Sequence, residues 1–216
     1  YPGPCLMNGV QSKEHSTQNS TALVDDKLLL VQAAEGDRLA FDRLVMMYRN
    51  QILNLCVRML GNYADGEDAA QDVFVNAYSH MKNFRGDSQV STWLYRIAIN
   101  TCKNRYSSWW GRLQKKVLRI GHPVHDSDSD DNLVELADMG MGADEVLERK
   151  RVNMKISSAI VSLPNNFKEL IILRDIQEKS YEEISGIVGL PSGTVKSRLA
   201  RARDALQKKL KEVCCE

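Results

Sequence analysis

Apolar residues recur at steps of three and four through most of the chain, no stretch alternates as a strand would, and only five prolines interrupt 216 residues. These observations predict an all-α protein. An acidic stretch without periodicity after Arg119, and a short capped helix, a turn at Gly189 and a basic last helix, add the expected layout: two small helical domains joined by an acidic flexible linker, the C-terminal one with a helix-turn-helix. The expected boundaries are a tail over 1–21, an N-terminal domain over 22–120, the linker over 121–143 and a C-terminal domain over 144–216.

The elements follow in order. "DDKLLLVQAAEGD" reads as a short helix capped by Asp25 or Asp26 and stopped at Gly36. Phe41, Leu44, Tyr48, Ile52, Leu55 and Met59 form one face of a long helix that Gly61 ends. "YADGEDAAQDVFVNAYSHM" carries Asp65, Glu67 and Asp68 early, where acids suit the positive helix end, and Ala70, Phe74, Ala77 and Met81 as its core face. After the loop "NFRGDSQVS", Ser91 or Thr92 is expected to cap "WLYRIAINTCKNRY", with Trp93, Ile97 and Thr101 on one side. "GHPVHDSDSDDN" has no periodicity and reads as exposed linker. Helical spacing resumes near Ala143 and runs to about Leu163, and "PNNFKELIILRDI" follows with Pro164 at its start. Ser180 and Glu183 have capping-box spacing before a helix with Ile184 and Val188 inward and Gly189 as its stop. Ser192 is expected to cap a last helix with Val195, Leu199, Ala202, Leu206 and Leu210 inward.

The net charge of +1 hides blocks. Trp93 to Ile120 holds seven Lys or Arg and no acid; Gly121 to Glu148 holds nine acids and no Lys or Arg; Thr194 to Lys211 is basic again, with Asp204 its one acid. Five scattered cysteines without a C-x-x-C pair fit a reducing cytosol, with Cys56 and Cys102 as core residues. Cys214–Cys215 reads as a frayed tail. No segment has the length or pattern of a membrane span or signal peptide. His15, His80, His122 and His125 lack metal-ligand spacing, and no phosphate-cradling loop or nucleophile–base pair appears, so neither cofactor, metal nor catalysis is expected.

Two stretches suit nucleic acid. In "LPSGTVKSRLARARDAL" the inward positions leave Lys196, Ser197, Ala200, Arg201, Arg203 and Asp204 facing outward or sideways, as in a helix that reads duplex DNA. In "NFRGDSQVSTWLYRIAINTCKNRYSSWW", Trp93, Tyr95, Arg96, Lys103, Asn104 and Arg105 combine aromatic surfaces with a cationic track, which suits a single strand. The same residues also allow blander roles, as core aromatics and solvated cations. A stand-alone helix-turn-helix regulator or a pure interaction protein stays open on these features alone.

"DGEDAAQDVFVNAY", "FRGDSQVSTWLYRIAINTCKNRY", "SLPNNFKELIILRD" and "SYEEISGIVGLPSGTVKSRLARARDAL", in that order, resemble a bacterial sigma factor of the extracytoplasmic-function (ECF) group in the sigma-70 family. The resemblance spans nearly everything from Asp25 to Lys211. It implies that the N-terminal domain binds core RNA polymerase, mainly β′ and β, and melts the −10 promoter element, while the C-terminal domain reads the −35 element as duplex. By the same resemblance Asp65, Glu67, Asp68, Gln71, Asp72 and Phe74 dock on polymerase. Phe84, Arg85, Gly86, Asp87, Ser88, Trp93, Arg96, Asn100, Lys103 and Asn104 hold the melted strand. Lys196, Ser197, Arg198 and Arg201 read the −35 element, with Thr194 and Arg203 on phosphates. The linker would run through the polymerase's nucleic-acid channel, and an anti-sigma factor would hold the protein inactive. Ser185 departs from the small Ala common at that position, and Cys214–Cys215 lies outside the shared pattern.

Overall fold

The computed structural model describes residues 26–120 and 143–214. The tail, Asp25, the linker through residue 142 with His122 and His125, and the side chains of Cys214 and Cys215 lie outside what it describes. Helix α1 covers 26–34, α2 Arg38–Leu60, α3 Tyr63–His80, and a 3-10 turn Met81–Asn83 leads to the loop before α4, Val90–Ile120. The second half comprises α5 (Ala143–Val161), α6 (Asn165–Ile171), which widens into a π turn over Ile172–Ile176, α7 (Tyr181–Val188) and α8 (Ser192–Cys214). Among the described residues there is no strand.

Breaks fall where the sequence places them. Gly61 and Gly189 end α2 and α7 in the left-handed conformation, at φ 89° and 71°. Gly36 does the same after α1 at φ 112°. Asp37 caps α2 and Asn62 caps α3, each accepting backbone N–H groups of the first turn. The long α2 lies at the centre of the N-terminal half, with Leu44, Ile52, Leu55 and Cys56 fully buried against α3 and α4. Asp26 is not an exposed cap: it is buried in α1 and accepts the Tyr48 hydroxyl hydrogen bond. Burial and that carboxylate together push the Tyr48 phenol far up.

Four sequence expectations need correction. Helix α4 starts at Val90, so Ser91 and Thr92 are not its cap; both are buried inside its first turn. Its buried face is Leu94, Tyr95, Ala98, Ile99 and Cys102, whereas Trp93, Ile97 and Thr101 are half-buried. Two apolar stripes run along this helix, and packing from both halves of the chain selects the second. Likewise α8 begins at Ser192 rather than after it, and Ile187 rather than Val188 joins Ile184 in the core of α7.

The two halves do not stand apart. One apolar cluster runs through both, from Leu29 to Ala202, with α4 against α7 and α2 against α5 and α6.

Gly66 explains how α3 crosses α2 so closely. A Cβ there would lie 2.4 Å from Val57 Cγ2 and 2.7 Å from Val57 Cα. The obstacle is backbone, which cannot swing aside. Gly66→Ala should therefore destabilise the fold by about 1–3 kcal/mol despite alanine's better helix propensity. Urea unfolding checks it; an unchanged midpoint would mean the crossing gives way freely.

Candidate nucleic-acid interface

Helices α7 and α8 form the helix-turn-helix. The Ser180 hydroxyl accepts the Glu183 N–H at 3.1 Å, and the Glu183 carboxylate accepts the Ser180 N–H at 2.7 Å, completing the capping box. In the turn the Ser185 hydroxyl donates to the Leu190 carbonyl at 2.6 Å, a bond alanine could not make. Val195, Leu199 and Ala202 anchor α8 to the core. Lys196, Ser197, Ala200, Arg201, Arg203 and Asp204 face solvent.

These outward residues are not equally free. The Lys196 ammonium sits 5.2 Å from the centre of the Tyr181 ring, which Arg174 also covers at 4.8 Å. Arg203 makes a two-point contact with the Asp175 carboxylate, which raises its already high pKa. Thr194 and Arg198 are half-buried, and Arg198 is near enough to Glu169 to favour its charged form.

The second surface lies on the loop before α4 and on α4 itself. Phe84 packs on Trp93 with ring centres 5.3 Å apart. Arg85, Gly86 and Asp87 are exposed, Ser88 is half-buried, and Lys27 reaches the Gly86 carbonyl at 3.5 Å. Gly86 needs its glycine, since φ is 77° there. Along α4 the expected residues divide. Asn100 and Asn104 are exposed, and Trp93 is half-buried. Arg96 and Lys103 instead reach the C-terminal half: Arg96 donates to the Gly186 carbonyl, and Lys103 lies 2.5 Å from Glu169. Two candidates leave this surface altogether. Tyr95 is buried, with its hydroxyl turned to Gln177, and Arg105 bends to Asp72 and Asp68 on α3.

The third surface is the acidic side of α3. Glu67, Asp68, Gln71 and Asp72 are exposed together, Phe74 is half-buried, and Asp65 is tied to Asn62 in the cap. Val75 and Tyr78 add exposed apolar area on this helix. Sequence reasoning missed Arg105 as the counter-ion here, and it missed Lys168 and Glu169, which are buried although charged. Among the described residues no group of three His, Cys, Asp or Glu is placed to hold a metal ion, and no helix is long and apolar enough to cross a membrane.

Residues 44–111 match the family description Sigma-70 region 2, and 153–206 match Sigma-70, region 4. The chain is 35% identical over 191 residues to the RNA polymerase sigma-H factor of Pseudomonas aeruginosa, covering 88% of this chain and 96% of that one. The chain belongs to the sigma-70 family. The ECF RNA polymerase sigma factor SigW of Bacillus subtilis is 33% identical over 187 residues, with 87% and 97% covered, and places it in the ECF group. The fold agrees with that of the sigma factor RpoE of Bartonella quintana, solved with the anti-sigma factor NepR, at a TM-score of 0.57 and 23% identity over 79% of this chain and 96% of that one. In this ECF sigma factor, region 2 thus spans α2 to α4, and region 4 spans α5 to α8.

Proposed function

We propose that this sigma factor joins core RNA polymerase, through its β′ and β subunits, and selects promoters in two separate readings. It acts by binding rather than by catalysis, in the cytoplasm where polymerase works. The working units are 22–120 and 144–216, with 121–143 as the connection between them. On the acidic side of α3, Asp65, Glu67, Asp68, Gln71, Asp72 and Phe74 take the polymerase. Phe84 to Ser88, with Trp93, Arg96, Asn100, Lys103 and Asn104, take the melted −10 strand. Thr194, Lys196, Ser197, Arg198, Arg201 and Arg203 take the −35 duplex.

The observation that carries this reading is α8: a capped α7, a left-handed Gly189 and an anchored helix turn Lys196, Ser197 and Arg201 to solvent together. Arginine in that position can bind guanine with two hydrogen bonds, and lysine can neutralise phosphate. Melting is a physical exchange. Unstacking and unpairing a base cost about a few kcal/mol, offset by pocket contacts and phosphate neutralisation. The RpoE relative's complex with an anti-sigma factor supports a similar inhibitor for this chain.

The test is run-off transcription. Core polymerase plus this chain should initiate at defined genomic sites that core alone ignores, and the mapped starts should share spaced −35 and −10 elements. No discrete starts across a whole-genome template would overturn the proposal.

A further inference from the structure

The cations of α4 do not all face one way, and Arg105 turns to the acids of α3. Asp65, Asp68 and Asp72 are three and four residues apart, so their side chains share one stripe of that helix. Like charges at this spacing repel, which favours carboxylates that spread apart. The stripe is instead held at both ends. At its start the Asn62 side chain donates to the Asp65 carboxylate at 2.6 Å and accepts the Asp65 N–H at 2.7 Å. At its far end the anchor comes from another helix.

Arg105 Nε donates to Asp72 Oδ2 at 2.9 Å, and Nη2 donates to the same oxygen. The third nitrogen, Nη1, lies 3.9 Å from Asp68 Oδ2. Both bonds to Asp72 therefore end on one oxygen, and the Asp72 side chain is still 51% exposed. The clasp fixes the direction of this carboxylate without covering it. Burial works against the Arg105 charge, but the hydrogen bond and charge of Asp72, with Asp68 and Asp65 behind it, more than offset burial and raise the guanidinium pKa.

From this geometry we infer that Arg105 is a positioning residue for polymerase docking, holding Asp72 and Asp68 in the arrangement that core polymerase meets. The inference rests on the proposed docking role of α3. Side chains ordered before binding cost less to immobilise than free ones, so a clasp built into the unbound protein strengthens the complex. In this role Arg105 acts through Asp72 rather than on the partner. A cation that merely neutralised the acids would do the opposite, because it would weaken the pull of an acidic surface on a basic one. The two effects have opposite signs, so they can be told apart.

The test is titration of the whole chain, fluorescently labelled, with core polymerase. Arg105→Lys keeps the charge but loses the clasp, since an ammonium cannot reproduce the guanidinium fork. It should weaken core affinity about fivefold. Arg105→Ala should weaken it by at least as much, although it leaves this face more negative. In an Asp72→Ala background, Arg105→Lys should have no further effect, because the group it acts through is gone. A residue that only steadied the fold would cost the same in both backgrounds. Thermal melting followed by circular dichroism scores folding, and if Arg105→Ala melts too low to assay, Arg105→Lys carries the test.

Undiminished affinity in Arg105→Lys, or tighter binding by Arg105→Ala, would overturn the positioning role. So would a loss by Arg105→Lys that persists in full when Asp72 is already alanine. Failure of the docking assignment looks different. In that case Asp72→Ala and Asp68→Arg would themselves leave core affinity unchanged, whereas failure of positioning alone leaves both acids important and Arg105 silent.

Discussion

Changing Lys196 and Arg201 together to alanine should lower promoter-specific binding by the holoenzyme about a hundredfold or more, since removing one side chain from a base or phosphate costs about 1–3 kcal/mol. The melting temperature should barely move. Both side chains are exposed, and the Lys196–Tyr181 contact is worth only about 0.5–1 kcal/mol at such a site. The two single variants should differ in kind. If Lys196 holds phosphate, Lys196→Ala weakens all sequences alike and reduces the salt slope by about one. If Arg201 holds a base, Arg201→Ala relaxes preference at one position of the −35 element. Footprints and salt titrations on a mapped promoter separate the two. Full binding by the double variant would remove α8 from the DNA.

Asp68→Arg should weaken the affinity for core polymerase by about tenfold or more, a change of a little over 1.4 kcal/mol. Asp68 is the cleaner of the two acids near Arg105. It is 69% exposed and only grazes that guanidinium at 3.9 Å, whereas Asp72 is firmly held by it. Reversing Asp72 would set two cations face to face and confuse docking with folding. Titration of labelled core measures the effect, and circular dichroism should show an unchanged fold. Undiminished core affinity would exclude this side of α3 as the docking surface.

Much of this organisation is legible in the sequence because its signals are local. Gly36, Gly61 and Gly189 end helices through their own backbone freedom, and Ser180 with Glu183 form a cap within four residues. The outward side of α8 follows from a single apolar stripe. On α4 that logic fails, because Trp93 and Ile97 make one plausible stripe and Leu94, Ala98 and Ile99 another; long-range packing chooses between them. Lys168 and Glu169 are equally hidden. Charged residues are almost never fully buried without partners, and their partners, Met59, Tyr106 and Lys103, lie more than sixty positions away. The acids of α3 are visible as a group, but their tie to Arg105 depends on how α3 meets α4.

Cys56 and Cys102 face each other in the core of the N-terminal half, both essentially without solvent contact. Their mutual hydrogen bond and burial push the Cys56 thiol far up, so at neutral pH it offers neither access nor thiolate to an alkylating reagent. The pair is thereby an internal clock. Under native conditions its rate of modification counts the moments when α2 and α4 separate, which gives the opening frequency of this core without adding any label to the chain.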